Sequence, residues 1–310
     1  MRALRWHGPG DVRVEEVDDP VPATGEVLVR VEVALTDGTD LKAFRRGHPL
    51  LLGEPPAPFG HELCGIEVES GRRVVAINSV PCGSCQACAR GDEAQCERRT
   101  LLNGAYAELI AVPERNLFPV PAGLAPEVAA LVEPLACCLH GVERAVVRAG
   151  DAVAVLGAGA IGLMLCACVA DAGGRPVIVG GRPERRALAA EFGAVVGDGA
   201  GADVAIEATG TPEGWRDATT LARRGGTVVL FSGLPDGTEV AFDAFRLHYE
   251  ELTLRGAFHH TLATVRAALA FLASGARPWR QLLTHEVSLE GVGALFADPP
   301  RDYIKAVVRP

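Results

Sequence analysis

Four cysteines in one short stretch are the residues best placed to do chemistry together: Cys82-Gly-Ser-Cys85-Gln-Ala-Cys88-Ala-Arg-Gly-Asp-Glu-Ala-Gln-Cys96. Three thiols at C-x-x-C spacing, with a fourth beyond a longer spacer, can close a tetrahedral zinc site. Four thiolates leave no open position on the metal, which makes such a site structural. Gly83 and Gly91 let the loop wrap a small ion. Unpaired loop thiols or a redox pair are the alternative reading. Cys64, Cys137, Cys138, Cys166 and Cys168 lie in apolar or helical settings and read as small buried residues.

A second stretch, Ala152-Val-Ala-Val-Leu-Gly-Ala-Gly-Ala-Ile-Gly-Leu-Met-Leu-Cys166, could bind a dinucleotide. A β-branched run ends at Leu156, then Gly157, Ala158, Gly159, Ala160, Ile161 and Gly162 turn the chain into an apolar helical pattern. Gly157 serves the tight turn, Gly159 the close approach of a pyrophosphate and Gly162 the helix–strand packing. The phosphates would meet the exposed amides of the new helix, where the dipole favours negative charge. The same uncharged stretch is long enough to span a bilayer, but its interior glycines and strand-forming start argue against that reading.

The elements that position these residues follow from pattern. A length of 310 residues suggests about two domains. Contents of 48% hydrophobic and 22% charged residues are ordinary for a globular protein. A net charge of −9 leaves no basic stripe for nucleic-acid phosphates. The opening Met1-Arg-Ala-Leu-Arg-Trp-His-Gly8 has no apolar signal core, which implies a cytoplasmic protein. In that reducing compartment, nine cysteines point to metal or chemistry before disulfides. Val27, Val29, Val31 and Val33 alternate as a half-buried strand. Further strands are expected over 73–77 and 106–112, so the first third is β-rich. A helix is expected over 133–147, with Pro134 in its first turn. Strands then alternate with helices at 152–156, 176–180, 195–196, 203–207, 226–231 and 251–255. One of those helices spans 183–192 and ends at Gly193. That alternation predicts a parallel sheet covered on both faces. A helix near 264–273 and strands near 282–287 and 303–308 close the chain.

Three separated segments complete the pattern: Asp37-Gly38-Thr39-Asp40-Leu41-Lys42, Gly60-His61-Glu62 and Glu133-Pro134. In this order, with the cysteine loop and the glycine turn, the chain resembles the zinc-dependent medium-chain dehydrogenase/reductase family. That family includes alcohol, sorbitol and glucose dehydrogenases, and the resemblance covers essentially the whole chain. It implies an α/β fold: a Rossmann doubly wound parallel sheet inserted in a β-rich GroES-like catalytic domain. The catalytic domain would span 1–133 and 258–310, and the dinucleotide-binding domain 134–257. It also implies a catalytic zinc held by Asp37, His61, Glu62 and Glu133, beside a structural zinc on Cys82, Cys85, Cys88 and Cys96. Asp37 stands where members usually carry cysteine; a carboxylate oxygen binds zinc at nearly the imidazole distance but hardens the site. In the implied reaction, zinc acts as a Lewis acid on an alcohol whose hydride passes to nicotinamide. Thr39 and Lys42 would be inner and outer members of a proton relay, with Glu62 ligand or close neighbour of the metal.

At the end of the second strand of the alternating region, Gly181 and Arg182 stand where NAD enzymes place an acidic residue. The missing carboxylate and the arginine favour NADP over NAD. Arg185 and Arg186 read as coating an exposed helix. Thr209 and Gly210, then Ser232, Gly233 and Leu234, fall at carboxyl ends of predicted parallel strands. The resemblance makes them ribose and nicotinamide contacts, with Phe258 facing the nicotinamide. His259 and His260 either line the substrate pocket or cap the next helix. The partners implied are a small alcohol, polyol or sugar and, in a homo-oligomer, a second copy at the sheet edge; neither nucleic acid nor membrane is expected. Two other readings stay open: a zinc-free quinone or enone reductase of the same fold, and a non-enzymatic nucleotide-binding zinc protein.

Overall fold

A computed structural model describes residues 1–310. The chain divides into two units, Met1–Glu133 with Ala268–Pro310, and Pro134–Ala267. The first crossing falls at the start of the helix Val132–Ala145, the second inside the helix Leu262–Ala273.

In the first unit the Gly8-Pro9-Gly10 turn joins β1 (Arg2–Gly8) to β2 (Asp11–Glu16), and β4 (Ala57–Pro58) pairs on the other side of β1. A larger sheet is centred on β3 (Glu26–Leu35), the valine strand. On one side β3 pairs antiparallel with β5 (Glu62–Glu67), which leads to β6 (Arg73–Ala76) and β8 (Leu117–Pro119). β7 (Leu109–Pro113) pairs along the first half of β3. The expected strand at 106–112 thus begins later, because Tyr106 to Glu108 bond instead to β1 through the Leu4 and Glu108 amides, with Ala107 opposite Ala3. β15 (Leu283–Ser288) and β16 (Lys305–Arg309) come from the end of the chain, and β16 lies against the last turn of β3. Leu4, Trp6, Val29, Val31, Phe44, Phe59, Leu63, Tyr106, Phe296 and Val308 form the core. Phe59 meets Tyr106 and Phe296 edge-on at 5.6 and 6.3 Å, a geometry that suits the ring quadrupoles.

The second unit is a six-stranded sheet in which every pairing is parallel. Its order is β11 (Val195–Val196), β10 (Arg175–Val179), β9 (Ala152–Leu156), β12 (Ala202–Glu207), β13 (Ala222–Leu230) and β14 (Thr253–Gly256). In chain order this reads 3-2-1-4-5-6, the doubly wound arrangement, with its switch point beside β9. The helix Ala160–Asp171 follows β9, and Leu163 to Val169 within it are all buried. Burial on all sides explains why the stretch is uncharged. No helix of the protein is long and apolar enough to cross a membrane. The helix expected over 183–192 is broken: Pro183–Arg186 is α-helical and Ala190–Phe192 is a 3-10 turn. Between them the amides of Leu188 and Ala189 bond three residues back rather than four, which tightens the chain. Gly193 ends the segment in the left-handed conformation, as a C-terminal glycine does.

Candidate functional site

Asp37 leaves the end of β3 and begins the helix Gly38–Arg46. Its Oδ1 accepts from the Thr39 amide at 2.7 Å, while Asp40 Oδ2 accepts from the Asp37 amide at 3.2 Å. The pair is a reciprocal helix cap, so Asp37 is pinned by the fold before any ligand is considered. His61 and Glu62 enter at the start of β5, where Glu62 is opposite Leu35. Gly60 precedes them with φ +88°, and a Cβ there would sit 2.7 Å from the Tyr106 ring. Only glycine allows that turn to deliver His61 inward.

The three side chains converge, each offering a ligand atom within 4.8 Å of the others. His61 Nδ1 donates to the buried Asp40 at 2.8 Å, and the Tyr106 hydroxyl donates to the other Asp40 oxygen at 2.6 Å. A carboxylate on Nδ1 turns Nε2 toward Asp37, 4.0 Å away. This is the outer-shell support that metal-ligating histidines use. Burial works against charge on His61, but Asp40 outweighs it and holds the imidazole well above its usual range. A metal on Nε2 would release that proton.

Lys305, the first residue of β16, completes the cluster. The β16–β3 register pairs Val307 with Leu35, and continuing it sets Lys305 beside Asp37. Its Nζ donates to Glu62 Oε1 at 2.8 Å and stands 3.5 Å from Asp37 Oδ2. Burial opposes the lysine charge, but Glu62 and Asp37 prevail and raise it above the ordinary lysine range. Burial likewise pushes Asp37 up, yet Lys305, His61 and the Thr39 amide hold it well below the usual carboxylate range. Glu62 is raised by burial, with Lys305 pulling against it. Its Oε2 is buried with no hydrogen-bond partner. An orphaned carboxylate oxygen is costly in a protein interior and is what a metal ligand looks like without its ion. The set fits a divalent metal.

Glu133 is buried at the start of its helix, and its charge acts on both His61 and Glu62, though it is not one of the three converging ligands. Thr39 and Lys42, three residues apart on one helix, share a face and are both half-buried. His48 lies close enough for the His61, Arg46 and Lys42 charges to act on it, although burial does more to lower its basicity.

The cysteine loop is compact. Cys85 lies 3.4 Å from Cys88 and 4.0 Å from Cys96, and Cys82 lies 4.0 Å from Cys88. Tetrahedral zinc–thiolate bonds of about 2.3 Å put sulfurs about 3.8 Å apart, so this spacing fits zinc. The Cys82 amide points at Cys96 Sγ and the Cys88 amide at Cys85 Sγ. The Ser84 amide, with that of Cys85, draws the Cys82 thiol down to about 5. Elsewhere burial alone pushes the Cys166 thiol up to about 12, as for an inert core residue.

In the second unit, Gly157 has φ +118°, and a Cβ on Gly162 would fall 1.9 Å from the Gly157 carbonyl oxygen. Gly159, by contrast, caps the helix and faces open space where a side chain would meet no protein atom within 4 Å. Ala158 is buried, and Ala160 and Ile161 open the helix. Gly181 packs on Ala158, where a Cβ would come to 2.4 Å of the alanine methyl, and Arg182 beside it is exposed. Glu207, unexposed at the end of β12, has a role the residue pattern did not reveal. Its Oε1 accepts from the Thr209 hydroxyl at 2.7 Å and the Gly210 amide at 2.6 Å, and its Oε2 from the Ser232 amide at 3.2 Å. It thereby ties together two loops at the carboxyl edge, with Gly233 and Leu234 continuing the second. Past β14, Phe258 is exposed, and His259, at φ +64°, stacks on the buried His260 at 4.0 Å.

Residues 23–122 match the alcohol dehydrogenase GroES-like domain, and residues 160–274 the zinc-binding dehydrogenase domain. The (R,R)-butanediol dehydrogenase of Bacillus subtilis is 30% identical, with 100% of each chain covered. The chain belongs to the zinc-dependent medium-chain dehydrogenase/reductase family. An erythritol/L-threitol dehydrogenase of Mycolicibacterium smegmatis is 32% identical over 93% of this chain and 91% of its own. A zinc-binding dehydrogenase of Sinorhizobium meliloti, solved bound to NADP, superimposes with a TM-score of 0.91 at 31% identity, covering 100% and 99%. Membership makes this chain an oxidoreductase of the alcohol and polyol dehydrogenase kind. The zinc-free reductase and the non-enzymatic readings are not favoured.

Proposed function

We propose that this dehydrogenase oxidises small polyols or sugar alcohols, with NADP preferred over NAD, at a zinc held by Asp37, His61 and Glu62. The observation that carries the reading is Glu62, which has a buried Oε2 with no hydrogen-bond partner and offers a ligand atom within 4.8 Å of those of Asp37 and His61. When bound, zinc supplies Lewis acidity that lowers the pKa of an alcohol, and NADP supplies the hydride acceptor. Asp40 keeps the His61 Nε2 lone pair aimed at the metal position. Thr39 Oγ1 accepts the substrate hydroxyl proton while donating its own onward, and Lys42, on the same helical face, stands at the outer end of that path. Glu133 adds a carboxylate to the metal, directly or through water. Cys82, Cys85, Cys88 and Cys96 hold a structural zinc.

On the cofactor side, the residues from Gly157 to Gly162 receive the pyrophosphate. Arg182 meets the 2′-phosphate, a reading supported by the absence of a carboxylate at Gly181. Thr209, Gly210, Ser232, Gly233 and Leu234 line the ribose and nicotinamide end with Phe258. The polyol class is supported by the diol and tetritol in the relatives' names. A cytoplasmic setting is supported by nine cysteines, none in a disulfide. A homo-oligomer, dimer or tetramer, is supported by β14 as an open sheet edge.

Elemental analysis of wild type and Asp37→Ala, with a screen of polyols against both cofactors, tests the reading. Two zinc equivalents falling to one, and NADP-linked turnover of a polyol, are expected. One equivalent in both proteins with no turnover rules it out, and a clear preference for NAD removes its cofactor part.

A further inference from the structure

The metal cluster already contains a cation. Lys305 is 1% exposed, and its ammonium is shared between Glu62 Oε1 and Asp37 Oδ2. The other charged groups acting there are His61 and Glu133, with Asp40 behind His61. The nearby Tyr303 hydroxyl is engaged by Thr36 at 2.8 Å. The lysine thus covers one oxygen of each carboxylate, while Asp37 Oδ1 lies 4.0 Å from His61 Nε2 and Glu62 Oε2 is left without a hydrogen-bond partner.

We propose that Lys305 is a resident counter-cation of the metal site: it neutralises Asp37 and Glu62 while no metal is bound, and opposes the metal that binds the same two carboxylates. This rests on the reading of Asp37, His61 and Glu62 as metal ligands. Two adjacent carboxylates largely shut off from solvent carry a desolvation cost and a mutual repulsion, which the ammonium relieves alongside the His61 imidazolium. That ammonium also lies within a few ångströms of any ion held by the oxygens it does not cover, where like charges repel strongly at low dielectric. Lys305 therefore lowers metal affinity and raises the stability of the metal-free protein together. An arrangement that only oriented the ligands would do the reverse to affinity.

The test compares wild type, Lys305→Met and Lys305→Arg, each freed of its labile metal. Zinc is titrated against a chromophoric chelator, and Tm is read with and without zinc. Lys305→Met is expected to bind zinc at this site about tenfold tighter or more. Its metal-free Tm is expected to fall, so that zinc raises Tm by more than in wild type. Lys305→Arg, which keeps the charge, is expected to stay within about threefold of wild type. Equal or weaker zinc affinity in Lys305→Met overturns the inference and leaves the metal-site reading standing. A wild type that takes no second equivalent overturns both. Should Lys305→Met not fold without metal, Lys305→Gln, neutral but able to donate to Glu62, is judged by the same affinity criterion.

Discussion

The two clusters that fit zinc are built on opposite plans. The cysteine loop draws all four donors from one segment between Cys82 and Cys96, and the sulfurs are met by one another, by backbone amides and, at Cys82, by Ser84 and Arg98 from the same stretch. The other cluster draws Asp37, His61 and Glu62 from the ends of two strands, with Lys305 delivered by a third. Each donor there has a second commitment in the fold: Asp37 caps a helix, His61 binds Asp40 and Glu62 binds Lys305. A closed local cage, whose one nearby cation is the exposed Arg98 guanidinium bonded to Cys82 from the loop itself, depends on its metal for structure. An open cage whose charges are already partnered can hold its shape and reserve the metal for chemistry.

The widest separation of the two comes from His61→Ala. It is expected to lower kcat/KM on the order of 1000-fold, about 4 kcal/mol, while zinc content falls only from two equivalents to one. Loss of both metals would merge the sites and break the contrast. Cys85→Ser should act the other way. Removing the cysteine-loop zinc is expected to cost about 3 kcal/mol in chemical denaturation, with turnover per folded molecule retained at low temperature. Asp40→Asn leaves all donors present and removes only the carboxylate behind His61; activity or metal affinity should fall about 10- to 100-fold in metal-reconstituted assays. Arg182→Ala lies outside both clusters. It is expected to raise the KM for NADP about tenfold or less, leaving the KM for NAD and the zinc content unchanged.

The same contrast explains what could be read from the residues alone. Cysteine spacing is a local geometric fact, and the loop folds with its sulfurs at zinc-like separations. The alternation of strands and helices after Glu133 is local too, and it emerges as the parallel sheet in doubly wound order. Asp37, His61 and Glu62 are individually ordinary, and only the family resemblance joined them. Lys305 escaped because its partners are 243 and 268 positions away, while Ile304-Lys-Ala-Val-Val308 reads simply as a closing strand. A lysine opening an otherwise apolar strand is the faint signal that marks it. Asp37 was read only as a metal ligand, so the helix cap it makes with Asp40 went unread, and the bond from Asp40 to His61 spans 21 positions. The expected helix over 183–192 failed for a subtler reason, a tightening of the backbone that composition does not encode.

The cap at Asp37 also bears on how far this site tolerates substitution. A sulfur at that position would bind zinc more softly but is a poorer acceptor for the Thr39 amide, and loss of a helix cap costs about 1 kcal/mol. A cysteine at position 37 would also leave the Lys305 ammonium with one carboxylate in place of two. The residue is therefore answerable at once to the ion, to the helix and to the far end of the chain. A substitution at position 37 would disturb the ion site, the start of the helix and the Lys305 ion pair together.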